Sequence, residues 1–241
     1  MINFAHRGAS SDYPENTILS LKEGINAGAK GLEIDVHKSK DNKLVVIHDE
    51  DIERTFLGKG LVKDYTLEEL KSFRNRKKLF RDNEECHIPT LEEVLELVKD
   101  KDIVLNIELK TDVIHYENIE EDVVNLINKY GIGDKIILSS FNHDSLKKVK
   151  KISNIRIGVL YENPIENIVG YAKNLGAYAI HPDLRLVSEE LIKEAHKNNI
   201  KVNIFTVNNP FFMRMLIANK VDGAFTDYPE LLKEVLVESL L

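Results

Sequence analysis

Two short segments of the chain aim carboxylates at a common side. In GLEIDVH, residues 31–37, and LNIELK, residues 105–110, polar and apolar residues alternate. Alternate residues of a strand share a face. Leu32, Ile34 and Val36 therefore lie on one side and Glu33, Asp35 and His37 on the other, while Asn106, Glu108 and Lys110 oppose Leu105, Ile107 and Leu109. An exposed antiparallel strand shows the same alternation with its polar side in water. Two buried strands that both turn acids inward instead need a cation. Glu33, Asp35 and Glu108 supply hard oxygen ligands suited to one divalent metal ion, Mg²⁺, Ca²⁺ or Mn²⁺, and no cysteine cluster or helical histidine pair suggests zinc. Without a cation, such close like charges raise one another's pKa and oppose folding.

Histidines and cations converge on the same region. His6 and Arg7 follow the first apolar run, and VVIHDE delivers His48 and Asp49 in the same way. Imidazoles titrate near physiological pH, so His6 and His48 are candidates for general acid and base. Arg7 forks onto oxyanions and Lys110 adds a second cation among the acids. A metal, two cations and two histidines together suit phosphoryl transfer. Glu15 and Asn16 are placed to buttress Arg7, with an N-cap on the next helix as the other reading of Asn16. His37, His87, His115, His143 and His196 lack such partners and are expected on the surface or in loops. The basic run RNRKKLFRD, residues 74–82, reads as a solvated segment.

These residues require strands that end on one rim. Eight short apolar runs, INFAHRG, GLEIDVHKS, IVLNIELK, KIILSSF, IRIGVLY, AYAIHP, KVNIFTVN and DGAFTD, alternate with segments of helical period such as TLEEVLELVKD and SEELIKEAHKNN. Thr90 ahead of Glu92 and Glu93, Ser188 ahead of Glu190 and Pro164 in a first turn mark helix starts, and Gly131 and Gly176 mark ends. Eight strand–helix units in 241 residues predict an α/β fold, a (β/α)8 TIM barrel, with a doubly wound open sheet as the alternative. Residues 49–89 break the rhythm and are too long for a plain loop. They predict a hairpin extension and a small inserted lobe, at about 50–88, after the second strand of a single domain spanning 1–241.

Composition narrows the partners. The chain is 43% hydrophobic and 30% charged, with a net charge of −7. That balance argues against a nucleic-acid surface, which needs a basic face, and points to a small-molecule substrate in a local pocket. A single cysteine, Cys86, fits a reducing compartment. MINFAHRG has no signal-peptide pattern and no run approaches membrane-spanning length, so the sequence predicts a cytoplasmic protein without membrane insertion.

HRG at 6–8, PENT at 14–17, EIDV at 33–36, HDEDIERT at 48–55, PTLEEVL at 89–95, IELK at 107–110 and TDYP at 226–229 together resemble the glycerophosphodiester phosphodiesterase family over nearly the whole chain. The resemblance implies a TIM barrel with a lobe inserted after its second strand, a divalent metal held by Glu33, Asp35 and Glu108, and catalytic histidines at His6 and His48. The implied reaction is hydrolysis of a glycerophosphodiester, such as glycerophosphocholine or glycerophosphoethanolamine, to glycerol 3-phosphate and an alcohol. SSF at 139–141, His181 with Pro182, and FTVN at 205–208 are similar to family segments that line the pocket. Many relatives carry a tryptophan where this chain has Phe205, which keeps an aromatic wall but removes an indole donor; Phe205 reads equally as substrate-binding wall or barrel core. A related phospholipase D-like phosphodiesterase and a non-catalytic phosphate-binding barrel are the alternatives. The first is typically secreted and disulfide-bearing, and the second should have lost a histidine or an acid.

Overall fold

The computed structural model of the chain describes residues 1–240. Eight parallel strands close into a barrel: β1 (Ile2–His6), β2 (Gly31–Lys38), β4 (Val104–Leu109), β5 (Ile136–Ser140), β6 (Arg156–Tyr161), β7 (Ala179–Pro182), β8 (Lys201–Ile204) and β9 (Gly223–Thr226), with β1 paired to both β9 and β2. They match the eight apolar runs, and the closing β1–β2 pairing excludes the open doubly wound sheet. Each is followed by a helix that packs its apolar stripe on the outside: α1 (Ile18–Asn26), α3 (Leu91–Val98), α4 (Ile119–Tyr130), α5 (His143–Ile152), α6 (Ile168–Leu175), α7 (Glu189–Lys197), α8 (Pro210–Ala218) and α9 (Pro229–Glu238). Outward-facing Leu32, Ile34, Leu105 and Ile107 are fully buried between barrel and helices. Among the described residues, no helix is long and apolar enough to cross a membrane.

Local capping follows the sequence closely in most places. Thr90 and Glu93 form a reciprocal capping box at the start of α3, and the Ser188 hydroxyl accepts from the Leu191 amide at 3.1 Å. Gly131 and Gly176 end α4 and α6 in the left-handed conformation. Two expectations are corrected. Pro164 precedes α6, whose N-cap is Asn167, and α1 is capped by Thr17 instead of Asn16.

The segment after β2 turns back as β3 (Leu44–Val46), antiparallel to the last residues of β2, with Val36 opposite Val46 and Lys38 opposite Leu44. It then runs through the short α2 (Leu67–Ser72) before rejoining the barrel at α3. Val45, Ile47, Ile52, Phe56, Val62, Leu70 and Ile88 form a buried cluster of their own beneath it. Burying this apolar surface orders the path from His48 to Thr90; a free loop of that length would have no such reason to be fixed.

Inside the barrel, side chains stack by strand parity. Phe4, Ile137 and Phe225 fill the floor, with the Phe4 and Phe225 rings stacked at 4.7 Å. Above them lie polar residues: the Asn106 amide donates to the Ser139 hydroxyl at 2.9 Å, and the Asn203 amide lies 3.0 Å from His181 Nε2. At Gly158 a Cβ would fall 2.4 Å from the His181 ring, so the glycine makes room for the imidazole. The acids occupy the rim.

Candidate active site

Strand register brings the carboxylates together. Asp35 pairs across the sheet with Glu108, Glu33 with Asn106, and His6 with Glu33. In a parallel sheet such partners share a face, so β1, β2 and β4 send His6, Glu33, Asp35 and Glu108 to one patch. Carboxylate oxygens of Glu33, Asp35 and Glu108 all lie within 4.8 Å of one another, and all three residues are buried. Burial, reinforced by the charge of Asp35, raises the Glu33 pKa well above the usual carboxylate range and raises that of Glu108. Burial opposes the charge of Asp35 as well. The Arg7 guanidinium, with smaller help from His48, Lys110 and the Asn16 amide, overcomes it and lowers the Asp35 pKa to about 2. Asp35 Oδ1 is buried without a hydrogen-bond partner. An orphaned carboxylate oxygen between two further carboxylates is a donor set suited to a hard divalent cation.

Arg7 sits in an unusual turn. Its φ is +58°, its backbone amide reaches both the carbonyl oxygen and Oε2 of Glu33 at 3.0 Å, and Gly8 follows at φ +86°. A Cβ at Gly8 would overlap the Ser20 backbone at 2.4 Å, which accounts for the glycine. The turn points the Arg7 guanidinium back over the acids, with Nε 3.3 Å from Asp35 and Nη1 3.1 Å from Glu15. Glu15 therefore buttresses Arg7 as the sequence suggested. Asn16 supports an acid instead, its amide donating to Asp35 Oδ2 at 2.8 Å.

Each candidate histidine is backed by an aspartate. His6 Nδ1 lies 2.7 Å from Asp227 Oδ1, and His48 Nδ1 lies 2.6 Å from Asp49 Oδ1. Burial disfavours the charge of Asp227, but its bond to His6 prevails and lowers its pKa to about 2, so Asp227 is an acceptor. Asp49 is likewise held below the usual range, burial being outweighed by His48 and Arg54. Two ionised acceptors put the hydrogen on Nδ1 of both rings and leave each Nε2 bare in the neutral form. Burial also lowers the His6 pKa, despite the bond to Asp227.

Arg54 ties the two halves of this arrangement together. Its guanidinium donates to Asp49 Oδ2 at 2.5 Å and to Glu15 Oε2 and Oε1 at 2.7 and 2.8 Å. One residue of the segment after β3 thus braces both the partner of His48 and the partner of Arg7. Burial works against the Glu15 charge, yet the bonds from Arg54 and the field of Arg7 keep its pKa lowered.

A cavity of about 250 Å³ opens at this rim, walled by His6, Arg7, Glu33, His48, Glu108 and Phe205 among others. Asp35 and Lys110 stand behind that wall, with Lys110 Nζ 3.0 Å from Glu108 Oε1. All eight residues singled out from the sequence, His6, Arg7, Glu33, Asp35, His48, Glu108, Lys110 and Phe205, therefore gather at one end of the barrel. Phe205 lines the cavity and also borders the floor cluster.

Sequence reasoning missed other members. Asp227 and Arg54 lie in the motifs TDYP and HDEDIERT but carried no assigned role, and nothing local reveals their partners. His37 was expected at the surface and is fully buried. Its Nε2 donates to the His48 carbonyl at 3.0 Å, and its Nδ1 accepts from the Tyr116 hydroxyl at 2.9 Å. Its place on the acid face of GLEIDVH was the available signal. His143 and His196 are partly buried on helices and bond the Leu160 carbonyl and Asp222.

Residues 6–231 match the model of the glycerophosphoryl diester phosphodiesterase family. A glycerophosphodiester phosphodiesterase of Caldanaerobacter subterraneus subsp. tengcongensis is 42% identical over 229 residues, 95% of this chain and 94% of that protein. The crystal structure of a glycerophosphodiester phosphodiesterase from Thermotoga maritima superposes with a TM-score of 0.80 at 32% identity, covering 98% of both chains. An Oleispira antarctica phosphodiesterase, solved in complex with the product sn-glycerol-3-phosphate, superposes with a TM-score of 0.86 at 28% identity, covering 97% of this chain and 96% of that one.

Proposed function

This chain belongs to the glycerophosphoryl diester phosphodiesterase family of enzymes, and from that premise we propose that it hydrolyses glycerophosphodiesters, such as glycerophosphocholine or glycerophosphoethanolamine, to glycerol 3-phosphate and an alcohol. The observation that carries the proposal is the pair of dyads, His6–Asp227 and His48–Asp49, flanking three clustered carboxylates at one cavity. Glu33, Asp35 and Glu108 would hold one divalent ion, Mg²⁺, Ca²⁺ or Mn²⁺. When bound, that ion would supply Lewis-acid polarisation of the phosphate and lower the pKa of a neighbouring glycerol hydroxyl.

The chain's own groups account for the proton movements. A bare Nε2 on one histidine takes the proton of the substrate's hydroxyl as that oxygen attacks phosphorus, an intramolecular step favoured by proximity. The other histidine, protonated, gives its Nε2 proton to the departing alcohol oxygen, leaving a cyclic glycerol phosphate. Water then opens the ring with the two roles reversed. Asp227 and Asp49 hold the rings in the required tautomer and stabilise each imidazolium as it forms. Arg7, with Lys110 behind Glu108, offsets the phosphate's negative charge, and Phe205 shields the site from water.

In this reading residues 1–241 act as a single unit, with the segment at about 50–88 as an inserted lobe whose Arg54 braces the site. The free, buried Cys86 is consistent with work in the reducing cytoplasm. The test is release of glycerol 3-phosphate from glycerophosphocholine and glycerophosphoethanolamine, measured before and after chelation. Turnover that EDTA abolishes and Mg²⁺, Mn²⁺ or Ca²⁺ restores supports the proposal; full turnover by metal-free enzyme, or none with either diester after metal is added, refutes it.

A further inference from the structure

The cavity has two chemically different sides. Acids, Arg7 and both histidines come from β1, β2, β4 and the residues just after β3. The remaining wall carries Phe141, Leu160, Glu162, Phe205 and Thr206, from the ends of β5, β6 and β8. Along β6, alternate residues Gly158 and Leu160 face inward, and Glu162, one residue past the strand, continues the parity onto the exposed rim. The Phe141 and Phe205 rings meet edge to face, centroids 5.8 Å apart at 86°, and both are only partly buried.

The proton-transfer scheme uses nothing on Glu162. Among the described residues it makes no hydrogen bond or ion pair. Arg185, which feels its charge, is engaged by Asp183 through Nε–Oδ1 at 2.7 Å and Nη2–Oδ2 at 3.1 Å. A carboxylate without a partner beside an aromatic corner favours a cation twice over, through its charge and through the ring quadrupoles. A neutral polyol gains from neither, and an anion is repelled.

We propose that this wall is the subsite for the leaving alcohol and that Glu162, with the Phe141–Phe205 corner, selects diesters whose alcohol carries an ammonium group. The inference rests on the phosphodiesterase reading, which places phosphorus between the histidines and leaves the aromatic side for one of its two substituents. Contacts this far from the reacting atoms act in ground and transition states alike, so they enter through KM.

The experiment has two arms. In the first, kcat/KM is measured for glycerophosphocholine and glycerophosphoglycerol in the metal-loaded native enzyme and in Glu162→Gln, a change at an exposed rim position. In the second, calorimetry compares choline with 3,3-dimethyl-1-butanol, which replaces the charged nitrogen by carbon. The native enzyme should favour the choline ester, and Glu162→Gln should shrink the ratio roughly threefold to thirtyfold, mainly through KM. Choline should bind more tightly than its neutral isostere in the native protein and lose that advantage in the variant. A ratio unmoved by the substitution, or equal binding of choline and isostere to the native protein, overturns the proposal. Release of glycerol 3-phosphate from neither ester would instead refute the catalytic reading, and the choline–isostere comparison still decides the subsite.

Discussion

Mild acid should cost this barrel stability at its buried histidines, and His181 sets the size of the effect. The ring is fully buried, with Nε2 3.0 Å from the Asn203 amide and Nδ1 without a partner. The amide donates to Nε2, so the folded ring is neutral, and burial pushes its pKa down to about 3 from an ordinary 6.5. As pH falls through 6.5 the unfolded chain takes up a proton at this position while the folded chain does not. Stability present above 6.5 is therefore lost as pH falls, down to about 3. One such proton costs about 1.4 kcal/mol per pH unit, or about 2 kcal/mol between pH 6.5 and 5, a large share of a typical stability of roughly 5–15 kcal/mol. His6 and His37, also lowered by burial, act with the same sign. Asp35 and Asp227, both held near pKa 2, act with that sign too, but only below about pH 4. Glu33 and Glu108, raised by burial, act with the opposite sign as pH falls. Urea unfolding between pH 7 and 5, followed by circular dichroism with chelator present throughout, is therefore compared between the native chain and a His181 variant that shares the same rim. His181→Asn should be less stable than the native chain at pH 7, because it leaves a cavity beside Gly158. Its stability should nevertheless fall less steeply with acid, closing the gap by about 2 kcal/mol by pH 5. Parallel stability curves for the two proteins would show that His181 carries no linked proton and would refute the argument.

Other outcomes follow from the rim. Glu108→Gln should weaken divalent-ion binding by calorimetry while the metal-free protein stays folded, since it removes a charge that repels Asp35; unchanged affinity would remove Glu108 from the ligand set. His6→Ala and His48→Ala should each lower kcat by roughly 10² to 10⁴ with modest change in KM, whereas Arg7→Ala should also raise KM. Near-normal turnover with a reduced Tm in both histidine variants would make them packing residues. Arg54→Gln should lower kcat/KM by about tenfold, because it frees both Asp49 and Glu15, with little change in Tm, because a half-exposed ion pair contributes little to stability; an unchanged kcat/KM would break the link between the lobe and the chemistry.

What the sequence determined by itself is local and periodic. A strand's two-residue repeat already assigned Glu33, Asp35 and Glu108 to faces opposite Leu32, Ile34 and Ile107. The helical repeat and start signals such as Thr90 ahead of its two glutamates marked the elements between strands, and eight such units in this length left few ways to bury them. These features depend on neighbours a few residues apart, so they can be read along the chain. Closure of β1 onto β2 and β9, and the register that sets Asp35 beside Glu108, depend on packing the whole ring of helices at once. The same holds for the partners of the site. Asp227 meets His6 across 221 positions and Arg54 meets Glu15 across 39, and no local pattern distinguishes either from an ordinary surface charge. His37 shows the limit most clearly: its parity placed it with the acids, but only the hairpin of β3 and the approach of Tyr116 bury it and supply the two bonds that hold its ring. Strand parity assigns a side chain to a face, and only the folding of distant segments over that face decides what it meets there.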